Sequence, residues 1–402
     1  MAQIYTYYME PGGKNILAGR LFTHERKNNQ TAGFEYTKEW LAGTGRLALQ
    51  PSLPFGSGTF YTSSPLFGVF ADSAPDSWGR LLMRRYEEQQ AKNEGRLPKT
   101  LSQADFLLRV CDYTRQGALR FKTDEGGEFL APVSQNSTPP LKSISQLLSA
   151  SDRVISNQED FSDLNLLIDP GSSLGGARPK SAVVDFDGSL SIAKFPRKDD
   201  EINQVVWEHI ALLLAEKAGI NTTKHRLENI SGRQVLIVKR FDRAGEQRIH
   251  FLSAMSMLEA QDFDDHNYLE LASAIKQHSV RPKEDLAQLW RRIVFGILVS
   301  NSDDHLRNHG FLFAQNGWVL SPAYDINPNA TRRNFHATTL TETKIQSSVE
   351  GALEICDQFM LTNEKAQSIL KEVNSAVGQW KNVAGKLGLK VEIKRMEPAF
   401  LI

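Results

Sequence analysis

Cysteine is nearly absent from this chain, with two residues in 402, Cys111 and Cys356. They form no CxxC pair and lie in helix-like surroundings, so both read as small buried apolar residues, and a reducing compartment is expected. Net charge is missing as well. Lysine plus arginine and aspartate plus glutamate stand at 47 each, so no global field draws the chain to nucleic acid or an anionic membrane, and any such contact has to be local or borrowed from a partner. The apolar runs fall far short of the roughly 20 residues of a membrane span. The start, MAQIYTYYMEPGG, has neither the basic nor the apolar region of a signal peptide, which makes a cytoplasmic location the expectation. No repeat or low-complexity tract stands out. What is present, 41% hydrophobic and 23% charged residues, is the composition of a soluble globular protein with length for two or three domains.

Short β-rich runs between Ile4 and Phe70, punctuated by Gly and Pro, predict a small, partly antiparallel sheet. Helices follow: Ser73 or Asp76 is placed to cap WGRLLMRRYEEQQ, and DFLLRVCDY has helical spacing before RQGALRF returns to an extended pattern. TDEGGEFLAPVSQNSTPP is the best linker in the chain. Beyond it, SAVVDFDGSLSIAKFP reads as two strands around an Asp-Gly turn, residues 205 to 218 as an amphipathic helix, and RQVLIVKRFDR as a strand. FLSAMSMLEA, NYLELASAIKQH and DLAQLWRRIVFGILV read as helices, and Asn316-Gly317 lies between two apolar runs as a hairpin signal.

The chemistry gathers in SNSDDHLRNHGFL. Asp303 and Asn308 are spaced D-x-x-x-x-N, as in a kinase catalytic loop whose aspartate accepts the substrate hydroxyl proton and whose asparagine binds magnesium. That spacing selects Asp303 over Asp304, and Asp325 in PAYD follows the next hairpin, where a kinase carries its second magnesium ligand. Aspartate and asparagine after a helix also serve backbone groups in turns. Upstream, GSSLGGARPKS combines Gly175 and Gly176 with Lys180 and suits a phosphate cradle or a surface turn. Lys194 ends an apolar strand, and Glu208 sits on the following helix, the order in which kinases pair a strand lysine with a helix glutamate. Each is equally a solvated surface charge taken alone. Lys239, Arg240 and Phe241 end the next strand, as a hinge using backbone groups and leaving side chains unconstrained. His305 and His309, four apart with Asp304 nearby, suit a zinc site, so a metal-dependent hydrolase is the rival enzyme. A non-catalytic co-repressor scaffold acting through a DNA-binding partner is the other alternative.

In order along the chain, DSAPDSWGR, RQGALRF, SSLGGARPK, IAKFP, the helix with Glu208, VKRFDR, SNSDDHLRNHGF and PAYDINP resemble the HipA-like serine/threonine kinases, toxins of bacterial toxin-antitoxin modules. The resemblance implies an ATP- and magnesium-dependent kinase with Asp303 as catalytic base and Asn308 and Asp325 as magnesium ligands. Lys194 would meet phosphate, and Gly175, Gly176, Ala177, Arg178 and Lys180 would form the phosphate loop. Lys239, Arg240 and Phe241 would be the hinge; Tyr324, His305 and Arg307 would complete the nucleotide side. Ser173, or adjacent Ser172, falls where the family carries an autophosphorylated serine. Implied partners are a helix-turn-helix antitoxin, DNA only through that antitoxin, and a protein substrate with a translation-related target. GGARPK departs from the family, which often has glutamine and an acidic residue at positions 178 and 179, and Pro179 restricts Arg178 to extended geometry. The expected fold is α+β, two-lobed and protein-kinase-like: an N-terminal subdomain over 1–125, a linker over 126–145, an N-lobe over 146–242 and a helical C-lobe over 243–402, with nucleotide between the lobes.

Overall fold

Burial alternates along Ala2–Met9, the period of a half-buried strand, and this strand lies inside an antiparallel sheet. The computed structural model describes residues 2–26, 29–130, 138–171, 176–261, 264–314, 317–331, 336–343 and 347–402. In it the sheet has five strands in the order Thr59–Thr62, Asn29–Tyr36, Asn15–Arg26, Ala2–Met9 and Leu119–Lys122. The first four come from the segment expected to form a sheet, and RQGALRF supplies the fifth. By contacts the chain forms two units, residues 1–199 with 228–252, and residues 200–227 with 253–402. Residues 126–145 fall within the first unit together with both segments they join. Part of this stretch is docked: the Leu130 N–H donates to the Phe121 carbonyl at 2.9 Å, and the Arg120 guanidinium lies 3.6 Å from the Phe129 ring centre.

In the first unit, Asp76 caps the helix Ser77–Asn93 by accepting from the Gly79 N–H at 2.7 Å, and Trp78 enters the core. That core also holds Val183, Ala193, Phe195, Val235 and Ile237 from a second sheet, with Leu147, Leu148 and Leu167 from the helices Ile144–Ile155 and Phe161–Gly171. The second sheet runs Lys180–Val184, Leu190–Lys194, Arg233–Lys239, His225–Ile230, and the chain passes between units within the last strand.

Asp242 is a buried charge of this unit with several partners. Asp242 accepts from the Gly117 N–H (2.8 Å), from Arg240 Nε and Nη2 (2.8 and 2.6 Å), and from Arg243 Nη1 (2.7 Å). The two guanidiniums continue to the carbonyls of Thr114 and Arg115. Burial alone would raise the Asp242 carboxyl, but Arg240 and Arg243 outweigh it and hold it well below the usual range. VKRFDR therefore clamps the RQG turn.

In the second unit the helix Gln204–Lys217 is not amphipathic as expected; Val205 through Leu212 are all buried, because neighbours cover every face. On one side the Trp207 Nε1–H donates to Glu392 at 2.7 Å, and Trp207 meets Trp380 and Phe400, themselves stacked at 4.2 Å. FLSAMSMLEA is mostly not helical: Phe251–Ser253 is a strand and only Ala254–Met257 forms a turn of helix, capped by Ser253. The helices Tyr268–His278 and Pro282–Leu298 form as expected, the second with proline in its first turn. The hairpin Gly310–Ala314 with Gly317–Leu320 closes on the pair Ala314 and Gly317, so Gly317 lies in the strand rather than in the turn. Its lack of a side chain serves packing: a Cβ there would sit 2.0 Å from Val280 Cγ1. Asn316 lies outside the described residues. No helix among the described residues is long and apolar enough to cross a membrane.

The clamp gives a test. Asp242→Ala leaves buried Arg240 and Arg243 without their carboxylate and is expected to cost about 3–5 kcal/mol in denaturant-induced unfolding. Asp187→Ala, which removes the exposed partner of Lys239, should shift the same midpoint far less.

Candidate functional site

The candidate residues divide between the two units, and each set is described by itself. In the second unit the site begins where Pro282–Leu298 ends. Ser300 takes a left-handed conformation (φ +50°), its N–H donating to the Ile297 carbonyl at 3.1 Å and the Asn301 N–H to the Gly296 carbonyl at 2.8 Å. These are the two bonds of a Schellman cap, with serine where glycine is usual. The cap turns the chain sharply and delivers Asn301, Ser302, Asp303 and Asp304 just beyond the helix end.

Three side chains then tie this loop to the segment that follows the hairpin. Asn301 Oδ1 accepts from the Asn327 N–H at 3.0 Å, Asn329 Nδ2 donates to Ser302 Oγ at 2.8 Å, and the Tyr324 hydroxyl donates to the Arg307 carbonyl at 2.7 Å. Between these ties lies Asp325, half-buried and also left-handed (φ +57°), with Asn327 Nδ2 3.3 Å from its Oδ1. A non-glycine residue in that region stores on the order of 1–3 kcal/mol, and such strain persists only where surrounding bonds fix it. Asp303 is exposed; its carbonyl accepts from the His305 N–H (3.0 Å) and from Asn308 Nδ2 (2.8 Å). The buried Asn308 amide is thus anchored by its donor end, which orients its oxygen. The structure brings Asp303, Asn308, Tyr324, Arg307 and Asp325 into one hydrogen-bonded assembly. An amide oxygen and a carboxylate, as Asn308 and Asp325 offer, are donor types that suit magnesium.

Asp304 has a different neighbourhood from Asp303. It is buried, accepts from the Tyr268 hydroxyl through Oδ2, and has His309 Nε2 3.2 Å from Oδ1, while Thr338 Oγ1 donates to its carbonyl at 2.7 Å. Burial would raise its pKa; His309 and the Tyr268 phenol outweigh burial and hold it at about 2. Burial and the adjacent Asp304 charge push the Tyr268 phenol well up, so it stays protonated and donates. The zinc reading of Asp304, His305 and His309 is not upheld: no group of three or more His, Cys, Asp or Glu among the described residues is arranged to hold a metal. The cause is local. Residues 306–308 form a single 3-10 turn, not a helix carrying both histidines on one face, and Asp304 is engaged with Tyr268. His305 contributes its main chain to the loop, while its buried Nδ1 has no hydrogen-bond partner among the described residues.

In the first unit, Lys194 is half-buried at the end of strand Leu190–Lys194, directly opposite Lys180. Lys180 is buried, its ammonium 2.7 Å from Asp76 Oδ2 and 2.8 Å from the Gly176 carbonyl, so it holds the end of the loop. Gly176 and Ala177 are exposed and Arg178 is half-buried; Ser172, Ser173 and Gly175 lie outside the described residues. The side chains of the residues expected to form a hinge have partners of their own. Lys239 pairs with Asp187 at 3.1 Å, Arg240 is locked in the Asp242 clamp, and Phe241 meets Phe251 at 6.1 Å, so these side chains are constrained. The buried Arg240 is fully used by carboxylate and carbonyls of its own unit. Glu208, expected to face Lys194, is a buried carboxylate of the second unit.

Asn301, Asn327, Asn329, Tyr268 and the Asp76 partnership were missed in the sequence. Asn301 and Asn327 lie within SNSDDHLRNHGF and PAYDINP, and Asp76 within DSAPDSWGR, but no pattern in those motifs gives their partners.

Each unit contains both helices and strands, so the chain is of the α+β class. A family model for the HipA-like C-terminal domain matches residues 172–380, and one for the HipA N-terminal domain matches residues 14–122. The chain belongs to the HipA-like family. It is 25% identical over 339 residues, 76% of this chain and 73% of the relative, to a Sinorhizobium fredii protein named as a candidate kinase, Y4mE. It is 26% identical over 189 residues, 39% of this chain and 43% of the relative, to the serine/threonine-protein kinase toxin HipA of Shewanella oneidensis. The solved complex of Shewanella oneidensis HipA, HipB and operator DNA contains a chain of the same fold, with a TM-score of 0.68 and 18% identity over 94% of this chain and 90% of that one.

The Asp304 environment predicts a pH effect. A carboxyl lowered from 3.8 to about 2 on folding contributes stability that is fully present above pH 4 and lost as pH falls towards 2, on the order of 2 kcal/mol. Asp304→Asn should flatten the acid limb of stability between pH 4 and 2, followed by tryptophan fluorescence in denaturant at each pH. An unchanged limb would mean that other carboxylates dominate.

Proposed function

We propose that this protein is an ATP- and magnesium-dependent serine/threonine protein kinase acting as the toxin of a toxin-antitoxin module. One observation carries the reading: the Asn301, Tyr324 and Asn329 hydrogen bonds hold Asp303 and Asn308 to the strained Asp325 segment. That is the order and residue chemistry of a kinase catalytic loop and its second metal-ligating aspartate. Family membership and relatives named as kinases support it.

In this reading Asp303 accepts the proton of a serine or threonine hydroxyl as its oxygen forms a bond to the γ-phosphorus of ATP. The bond from that phosphorus to the β–γ bridging oxygen breaks, and ADP leaves. Asn308 Oδ1 and the Asp325 carboxylate would hold magnesium, which when bound neutralises charge on the transferring phosphates. Lys194 would bind phosphate, Glu208 would pair with Lys194, and Tyr324, His305 and Arg307 would flank the nucleotide. Arg240, fixed in its clamp, would serve the hinge through its main chain alone, with Lys239 and Phe241. Ser173 or Ser172 would be self-phosphorylated, adding about −1.5 to −2 charge beside an anion site. The partner expected is a helix-turn-helix antitoxin, which would bring a neutral chain to DNA.

Asp303→Asn is expected to lower transfer of labelled phosphate from ATP by orders of magnitude, each tenfold being about 1.4 kcal/mol of barrier, with folding and ATP binding kept. Retained transfer would refute the assignment. Asn308→Ala and Asp325→Asn should move the magnesium titration of activity to higher concentration, and an unmoved curve would remove them as ligands. Mass mapping of phosphopeptides after incubation with ATP decides between Ser172, Ser173 and neither.

A further inference from the structure

Lys180, expected in the phosphate loop, is held in a buried ion pair with Asp76, a residue to which the kinase reading gives no role. Asp76 and Lys180 meet at 2.7 Å with side-chain exposures of 9% and 4%, and each has a second anchor. Asp76 Oδ1 caps the helix Ser77–Asn93 through the Gly79 N–H, leaving Oδ2 for the lysine. Lys180 also donates to the Gly176 carbonyl, four residues back across the turn of the loop. Trp78 adds to this: its N–H lies 3.4 Å from the Gly176 carbonyl, and its Nε1–H donates to the Lys180 carbonyl at 3.0 Å. Its ring packs in the core that contains Ala193 and Phe195, the residues on either side of Lys194.

The register makes the charge arrangement more specific. Lys180 and Lys194 are direct partners in an antiparallel pair, so their side chains leave the same face of the sheet. Two ammoniums so placed repel each other. Asp76 draws Lys180 away and neutralises it.

We propose that Asp76, Trp78 and Lys180 form a latch by which the N-terminal helix fixes the Gly176–Lys180 end of the phosphate loop, with Lys180 a positioning residue rather than a phosphate ligand. This rests on the kinase reading of that loop. Any force on the start of Ser77–Asn93, for instance from a protein bound to the N-terminal part, is then transmitted to the loop.

The test compares the full-length wild type with Asp76→Asn, Lys180→Met and the double variant. Asparagine keeps the helix cap, so the change at position 76 removes charge alone. Without nucleotide, amide hydrogen exchange of a peptide covering 176–184 should accelerate in both single variants; unchanged exchange overturns the latch whether or not the protein binds ATP. In equilibrium dialysis with labelled Mg-ATP, each single change should weaken binding about tenfold and the double change no further, the mark of two groups acting as one. Further loss on adding Lys180→Met to Asp76→Asn would show that Lys180 itself contacts phosphate, and would overturn its role as a positioning residue. If wild type binds no ATP, the kinase reading fails and the exchange result still decides the latch. Should a single variant not fold, the double variant, with no buried charge left alone, supports the latch by faster exchange than wild type and refutes it by equal exchange.

Discussion

The end of one helix governs the arrangement of the candidate catalytic loop. Pro282–Leu298 is buried along most of its length, so its last carbonyls have no water to turn to and must be met by the chain that follows. Ser300 and Asn301 meet two of them by forcing a left-handed turn. That turn places the Asn301 side chain where it receives Asn327, and the Asn327 main chain in turn fixes the backbone just after Asp325. A backbone hydrogen-bonding demand at a helix end is thereby converted into the placement of two acidic residues 22 positions apart in sequence. Neither the loop nor the PAYD segment has regular structure of its own over these residues; asparagine and tyrosine side chains substitute for it.

Three buried carboxylates are each met by more than one donor. Asp242 is surrounded by guanidiniums, Asp76 by an ammonium and a helix N-terminus, and Asp304 by an imidazole and a phenol. In each case several donors replace the water a carboxylate gives up, which is the condition under which buried charge is tolerated. The equal numbers of acidic and basic residues reflect this internal pairing in part, and say little about the partners the surface takes.

The sequence reveals unequal amounts of this. Helices with a capping residue or a proline start, such as Ser77–Asn93 and Pro282–Leu298, are readable because cap and periodicity agree. FLSAMSMLEA misleads because its apolar residues fit a short buried strand as well as a helix, and only tertiary pairing chooses. The 205–217 helix appears two-faced on paper because a polar residue such as Glu208 or His209 marks an outer face; here both are buried. Spacing separates Asp303 from Asp304, but the bonds that hold the loop come from residues 327 and 329, which no local pattern connects to it. Arg240 and Lys180 show the same limit. Their types suit a ligand site, and the partners that occupy them, Asp242 and Asp76, are visible only once the chain is folded.

Adjacent Asp303 and Asp304 show how differently the fold can surround identical side chains. Asp304 points into a buried cluster, and a carboxylate kept at about 2 by His309 and Tyr268 is a poor proton acceptor at neutral pH. Its hydrogen bonds to Tyr268 and Thr338, from side chain and carbonyl respectively, fix the backbone on one side of the loop, as Asn308 does on the other through the Asp303 carbonyl. Asp303 lies between these anchors with its own side chain exposed and its main chain immobilised. A base for a substrate hydroxyl needs both properties: access from outside and a fixed position. Exchanging the two environments would leave the same sequence of carboxylates and bury the one proposed as base.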